Sequence, residues 1–325
     1  MAYRIVKWAL ILVIALVALA VGAVAFVFYR AMPDYSGTAS LPGLSAEARV
    51  YRDAYGVPHI FAATRNDAAR ALGYLHASER LFQMETERRA GQGRLSEILG
   101  PDLVGVDKFI RTLGFYRLAE SSFAALSPEA KATVQAYADG VNAFLISHRG
   151  SLPPEFLILG DDPEPWRPAD TMVQGKLLSL QLSHNYRLEL DRAELATKLP
   201  LEQARLLFPM PPAGSPITTL PIANPTHAEA PSPLDQLGAL LPFEHGASNE
   251  WTIAGSRTVT GKPILANDPH LGIEAPIVWY LARVVTPDGW VKGATIPGAP
   301  VLILGQNEHI AWGVTNTGSD VQDFF

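Results

Sequence analysis

Apolar and polar positions are arranged in three different ways along this chain. Over residues 8–29 the run is uninterruptedly apolar or small, with Arg4 and Lys7 before it and Arg30 after it. As a helix it is long enough to cross the roughly 30 Å hydrocarbon core of a bilayer. A cleaved signal peptide has a shorter apolar region, and no small-x-small site follows residues 26–29, so the pattern predicts a retained anchor. The basic flanks belong on the cytoplasmic side, which places the rest of the chain in the periplasm or outside the cell.

After a polar linker over 31–46, residues 49–60 read as a strand, the turn Asp53-Ala54-Tyr55-Gly56 and a second extended run. The period then becomes helical. Ala68, Leu72, Leu75 and Phe82 recur behind an Asn66/Asp67 cap, and residues 80–94 put a charge at each position expected to face solvent. Ser127-Pro128 supplies a cap and first-turn proline for another helix, with Val134, Tyr137, Val141 and Phe144 on one face. Residues 163–168 form a proline-rich connector into a third helix from about Ala169.

Nine prolines lie between Pro209 and Pro242, which excludes helix or central strand and predicts an extended linker. Beyond Ser248 the period shortens again. Runs at 252–254, 264–267, 277–285, 291–294, 301–304 and 310–315 are separated by turn residues and predict an antiparallel meander. Helices first and sheet second make an α+β chain.

Composition narrows the function. Of 325 residues 48% are hydrophobic, enough for a substantial core, and the net charge of -6 offers no basic face for nucleic acid. The absence of cysteine excludes disulfides, thiolate metal sites and a thiol nucleophile.

The candidate chemistry sits in His245-Gly246-Ala247-Ser248-Asn249-Glu250-Trp251-Thr252-Ile253-Ala254, where small residues leave the Ala247-Ser248 peptide accessible ahead of an alternating strand. Cutting that peptide would give Ser248 both a hydroxyl and a free α-amine that titrates near pH 7.7 to 8, so one residue would supply nucleophile and base. An ordinary junction between loop and strand looks the same in isolation. His59, beside Asp53, reads as a structural histidine closing its turn.

Three blocks bear on that choice. Ser248-Asn249-x-Trp251, Asn267-Asp268-Pro269-His270-Leu271, and Gly305-x-Asn307-x-x-Ile310-Ala311-Trp312-Gly313-x-Thr315-Asn316 followed by Asp320-Val321-Gln322-Asp323 resemble, in order and spacing, the penicillin acylase (penicillin amidase) family of N-terminal-nucleophile hydrolases. Arg52-Asp53-x-x-Gly56-Val57-Pro58-His59-Ile60 and the block 71–85 are similar to the opening of the same family.

The resemblance implies an αββα sandwich of antiparallel sheets flanked by helices. It divides the chain into an anchor or signal segment (1–30), a helical α segment (31–208), a spacer released on processing (209–247) and the start of a β segment (248–325). It implies Ser248 as nucleophile, the Asn316 backbone N–H as oxyanion donor and His270 as a residue beside the nucleophile, either bonded to Ser248 or purely structural. It also implies one structural calcium ion held by Glu189, Asp320, Asp323 and the Gln322 carbonyl, a donor set suited to a hard cation. The partners would be a small N-acyl substrate such as a beta-lactam antibiotic or an acyl-homoserine lactone, the membrane, and the two chains cut from one precursor.

Family members continue several hundred residues past the nucleophile and supply a second oxyanion donor, an arginine and a further calcium ligand. The 325 residues alone are therefore expected to be catalytically silent. Two other readings compete. One is a Ser-His-Asp hydrolase using Ser248, His270 and Asp268, disfavoured because no Gly-x-Ser-x-Gly elbow is present and because Asp268 and His270 are expected on opposite strand faces. The other is a membrane-anchored binding protein with a decayed site.

Overall fold

The structure is a computed structural model that describes residues 1–183, 185–200, 203, 248–272 and 275–316, apart from the side chains of residues 185–190 and 192. The spacer and the expected ligands Asp320, Gln322 and Asp323 lie outside the described residues, as does the side chain of Glu189.

Helix α1 (Ala2–Ala31) is the apolar run, with no residue buried against protein. Its most apolar window has a mean hydropathy of 3.1, so length and composition suffice to cross a membrane. Strands β1 (Arg49–Arg52) and β2 (Pro58–Phe61) form an antiparallel hairpin. The Asp53 carboxylate accepts from the N–H groups of Tyr55 at 2.9 Å and Val57 at 3.0 Å. His59 Nε2 lies 3.5 Å from the other carboxylate oxygen, where a turn-closing histidine should be.

Helix α2 (Arg65–Gln92) begins earlier than expected, because Thr64 rather than Asn66 or Asp67 caps it. Thr64 Oγ1 accepts from the Asp67 N–H at 3.1 Å, and its own hydroxyl donates to the Asp67 carboxylate at 2.8 Å. Three helices, α3 (Ser96–Leu99), α4 (Val104–Leu113) and α5 (Phe115–Ala125), lead to α6 (Pro128–Ser147), capped by Ser127 with Pro128 in its first turn. Helices α7 (Pro154–Leu159), α8 (Pro168–Leu182) and α9 (Asn185–Lys198) follow.

The expected apolar faces of α2 and α6 meet. Ala68, Leu72 and Leu75 pack with Tyr137, Val141 and Phe144 in one core cluster. Two glycines set the closeness: a Cβ on Gly140 would meet the Arg70 carbonyl oxygen at 1.9 Å, and one on Gly73 the Tyr137 carbonyl oxygen at 2.2 Å.

The charges of residues 80–94 correct the sequence expectation. Glu85, Glu87, Arg88 and Arg89 are 2 to 4% exposed, because α2 is covered by α6 on one side and α8 on another. Buried charges need partners. Arg89 donates to Glu85 at 2.6 Å, Asp161 at 2.6 Å and Glu97 at 2.8 Å, while Arg88 pairs with Glu85 and donates to the Glu164 carbonyl at 2.8 Å.

The remaining strands are β3 (Ser248–Ile253), β4 (Ile264–Pro269), β5 (Tyr280–Thr286), β6 (Gly289–Thr295), β7 (Leu302–Asn307) and β8 (Ala311–Trp312). The α+β composition stands, but the single antiparallel meander does not. β5 to β8 form an antiparallel meander, whereas β3 and β4 pair separately. The hairpin from the first part of the chain joins the larger sheet through β2, which runs parallel to β5 in the register His59↔Arg283, Ile60↔Val284, Phe61↔Val285. Two apolar strands far apart in sequence thus share one face of the core.

A buried polar chain fastens α2 and α6 to this sheet. Thr295 Oγ1 donates to the Tyr280 carbonyl at 2.7 Å, so it accepts from His76 Nε2–H at 3.0 Å. That leaves His76 Nδ1 to accept from the Tyr137 hydroxyl at 2.8 Å, whose oxygen accepts from the Gly298 N–H at 2.8 Å. Every member is satisfied in one tautomer. Burial pushes the His76 pKa down to about 3, so the ring is neutral.

Candidate active site

Ser248 occupies the first position of β3, where the β3–β4 register pairs it with Pro269 and pairs Asn249 with Asp268. The serine is half-buried, and among the described residues its hydroxyl has no hydrogen-bond partner. The hairpin is short, and among the described residues no third strand pairs with it. What lies beside it is the irregular segment 313–316, which follows β8.

Among the described residues three side chains hold that segment. The Thr315 hydroxyl donates to the Ser248 carbonyl at 3.1 Å, which brings the backbone of Asn316 within one residue of the candidate nucleophile. The Asn267 carboxamide, on β4, accepts from the Val314 N–H at 3.1 Å and donates to the Val314 carbonyl at 3.0 Å and the Asn249 carbonyl at 3.1 Å. The Asn316 side chain donates to the Leu182 carbonyl at the end of α8 at 2.7 Å. A Cβ on Gly313 would meet Asn267 Oδ1 at 2.7 Å, so glycine is required there for the approach.

His270 lies just past the end of β4 with its Nε2 2.9 Å from Asp268 Oδ2. This overturns the expectation that the two face apart: residues two positions apart at the end of a strand share a face. Both are well exposed, with side-chain exposures of 44% and 75%, and the contact is a solvated one. The structure therefore brings together Ser248, Thr315, Asn316 and Asn267, and sets the Asp268–His270 pair at the adjoining strand end. Asn267 was quoted in the sequence only as part of a motif. Its signal was an asparagine at a position where the strand pattern called for a packing residue.

A cavity of about 210 Å³ lies between α8 and the β6–β7 connection, walled by Met172, Leu177, Leu178, Ile296, Val301 and Ile303. Glu87 is at its margin, with Gln83 donating to one carboxylate oxygen at 3.3 Å and the other unpartnered. Burial raises the Glu87 pKa to about 8, so the group is largely protonated at neutral pH. Among the described residues no group of three or more His, Cys, Asp or Glu side chains could hold a metal ion.

A family model described as penicillin amidase matches residues 47–325. The acyl-homoserine lactone acylase QuiP of Pseudomonas aeruginosa is 34% identical over 307 residues, which cover 90% of this chain and 36% of that protein. The penicillin acylase 2 proenzyme of Pseudomonas sp. (strain SE83) is 36% identical over 312 residues, covering 91% of this chain and 39% of that protein. Penicillin G acylase of Escherichia coli is 30% identical over 353 residues, covering 88% and 41%. The chain thus spans well under half the length of these relatives.

Proposed function

The chain belongs to the penicillin amidase family, and on that footing we propose that Ser248 is the N-terminal nucleophile of an amidohydrolase acting on N-acyl small molecules. The observation that carries this reading is the placement of Ser248 at the head of β3, with Thr315 fastening the segment of Asn316 to its carbonyl. The substrates are beta-lactam antibiotics or acyl-homoserine lactones, the two classes named by the relatives.

Maturation begins with attack of the Ser248 hydroxyl on the Ala247 carbonyl. The peptide C–N bond breaks, an ester forms, and water opens it to leave a free α-amine. In the mature site the hydroxyl attacks the substrate amide while the amine, directly or through a water, accepts its proton. The Asn316 N–H meets the oxyanion, the acyl group transfers to Ser248 and water then releases the acid. The proline-rich stretch 209–247 is the spacer, and this cut frees its C-terminal end.

Around this site the same reading places an αββα sandwich, of which the sheets described above form part. A single structural calcium would be held by Glu189, Asp320, Asp323 and the Gln322 carbonyl, which offer only oxygen donors, as a hard cation requires. The helix α1 anchors the protein with its body in the periplasm or outside the cell.

The Asp268–His270 contact at 2.9 Å favours a second reading, a Ser-His-Asp hydrolase. Acylating the α-amine after cleavage separates the two, since it silences only the first. The deciding experiment is Ser248→Ala in the full-length protein. The expected product is one uncleaved chain without amidase activity; normal cleavage by mass spectrometry ends the proposal.

A further inference from the structure

The segment that carries Asn316 is not a strand of either sheet, yet its backbone is held as if it were. Between Ala311–Trp312 and Asn316 the chain leaves β8 and passes the β3–β4 hairpin without ladder hydrogen bonds. Val314 nevertheless has both backbone groups satisfied, and one carboxamide satisfies them: Asn267 accepts from its N–H and donates to its C=O. The second Asn267 N–H reaches the carbonyl of Asn249, the residue after Ser248. A single side chain therefore spans from the nucleophile's strand to a residue two positions before Asn316.

We infer that Asn267 is a positioning residue that sets the distance between the Ser248 hydroxyl and the Asn316 N–H; the inference rests on the function proposed above. The geometry is specific to this side chain. Its carboxamide presents a donor and an acceptor to the same peptide as a neighbouring strand would, and the missing Cβ of Gly313 leaves it room, since a Cβ there would lie 2.7 Å from Asn267 Oδ1. Aspartate would keep the acceptor but set a carboxylate against the Val314 and Asn249 carbonyls. Alanine would remove all three bonds and leave the segment with the ties made by Thr315 and Asn316.

The two sheets would still form in either variant, because β3–β4 and β7–β8 pair through their own backbones. What changes is the placement of an N–H that must meet an oxyanion, and misplacement by about 1 Å can lower a rate by roughly a hundredfold.

The test uses full-length protein with Asn267→Ala and Asn267→Asp, read in two independent ways. Hydrogen exchange at the Val314 amide should accelerate about tenfold in Asn267→Ala, as loss of one hydrogen bond of ordinary strength implies, with exchange in β6 unchanged. For hydrolysis of an N-acyl amide, kcat should fall roughly ten- to hundredfold with KM changed less than about threefold, because transition-state geometry is disturbed and ground-state binding is not. Asn267→Asp should protect the Val314 amide yet still lose kcat. Unchanged Val314 exchange in Asn267→Ala overturns the clamp whatever the activity. Faster exchange with wild-type kcat, in a protein that Ser248→Ala inactivates, overturns the positioning role. Should Ser248→Ala remain active, the proposed function fails instead, and the exchange measurement alone decides whether the clamp exists.

Discussion

The helical body and the β3–β4 hairpin that carries Ser248 solve the problem of polar groups in opposite ways. In the body the charges are shut inside: Arg89, 4% exposed, spans Glu85, Glu97 and Asp161, and His76, fully buried, hands its two nitrogens to Tyr137 and Thr295. At the hairpin the polar groups are open to solvent, and what is fixed is backbone, held by the side chains of Asn267, Thr315 and Asn316. The difference teaches where rigidity resides. A scaffold can be locked by buried networks because nothing has to enter it, whereas a site that admits a substrate must be held from its edges.

Three substitutions test that contrast. The largest effect belongs to Arg89→Ala, which strands the carboxylate of Asp161 in the interior and leaves that of Glu85 with Arg88 alone. Removing one partner of a buried charge network destabilises by about 3–5 kcal/mol, to be seen as a lower denaturant midpoint. A loss no greater than that of an exposed ion pair would show that the body is not locked as described.

Glu87→Gln sharpens the comparison in the opposite direction, because Glu87 is a buried carboxyl that pairs with no cation among the described residues. Its folded pKa of about 8 lies above the ordinary carboxylate value of 4.5. The native state therefore holds its proton while the unfolded chain releases it, and the group's contribution to stability falls as pH rises from about 4.5 to 8. Glutamine is neutral throughout, so the variant should match the parent near pH 4.5 and become progressively the more stable of the two as pH rises toward 8. A pH-independent difference between the two proteins in urea unfolding would contradict the assignment.

The smallest effect is expected at the hairpin. Asp268→Asn breaks the contact with His270, but both side chains are solvated, and exposed pairs contribute about 0–1 kcal/mol. Thermal unfolding of the variant should be nearly superimposable on that of the parent, and a shift as large as that of Arg89→Ala would erase the distinction between the regions.

Much of the body was legible in the sequence because local rules govern it. Ser127-Pro128 announced α6, and the spacing of Val134, Tyr137, Val141 and Phe144 gave its buried face. Thr64, three residues before Asp67, carried a capping signal that the choice of Asn66/Asp67 passed over. Periodicity misread Glu85, Arg88 and Arg89, since spacing assigns a charged face to solvent and cannot see a second helix lying on it. Pairing across long distances was invisible for a related reason: nothing local in residues 58–61 names 283–285 as their neighbours. At the candidate site, the serine at the head of a strand was readable, while the contacts of Asn267 with a segment 47 residues away appeared only in three dimensions.

The parallel pairing of β2 with β5 would give the proposed chain scission a kinetic meaning. The two strands lie on opposite sides of the Ala247–Ser248 bond, so a cut there severs the covalent loop between them without touching a ladder hydrogen bond. Before the cut, reassembly after unfolding is a unimolecular search over a tethered loop. After the proposed cut it would be a bimolecular encounter whose rate depends on protein concentration, because the tether's effective concentration would be gone. A processed molecule would thus keep its fold by the height of its unfolding barrier, with recovery from denaturation becoming slower on dilution.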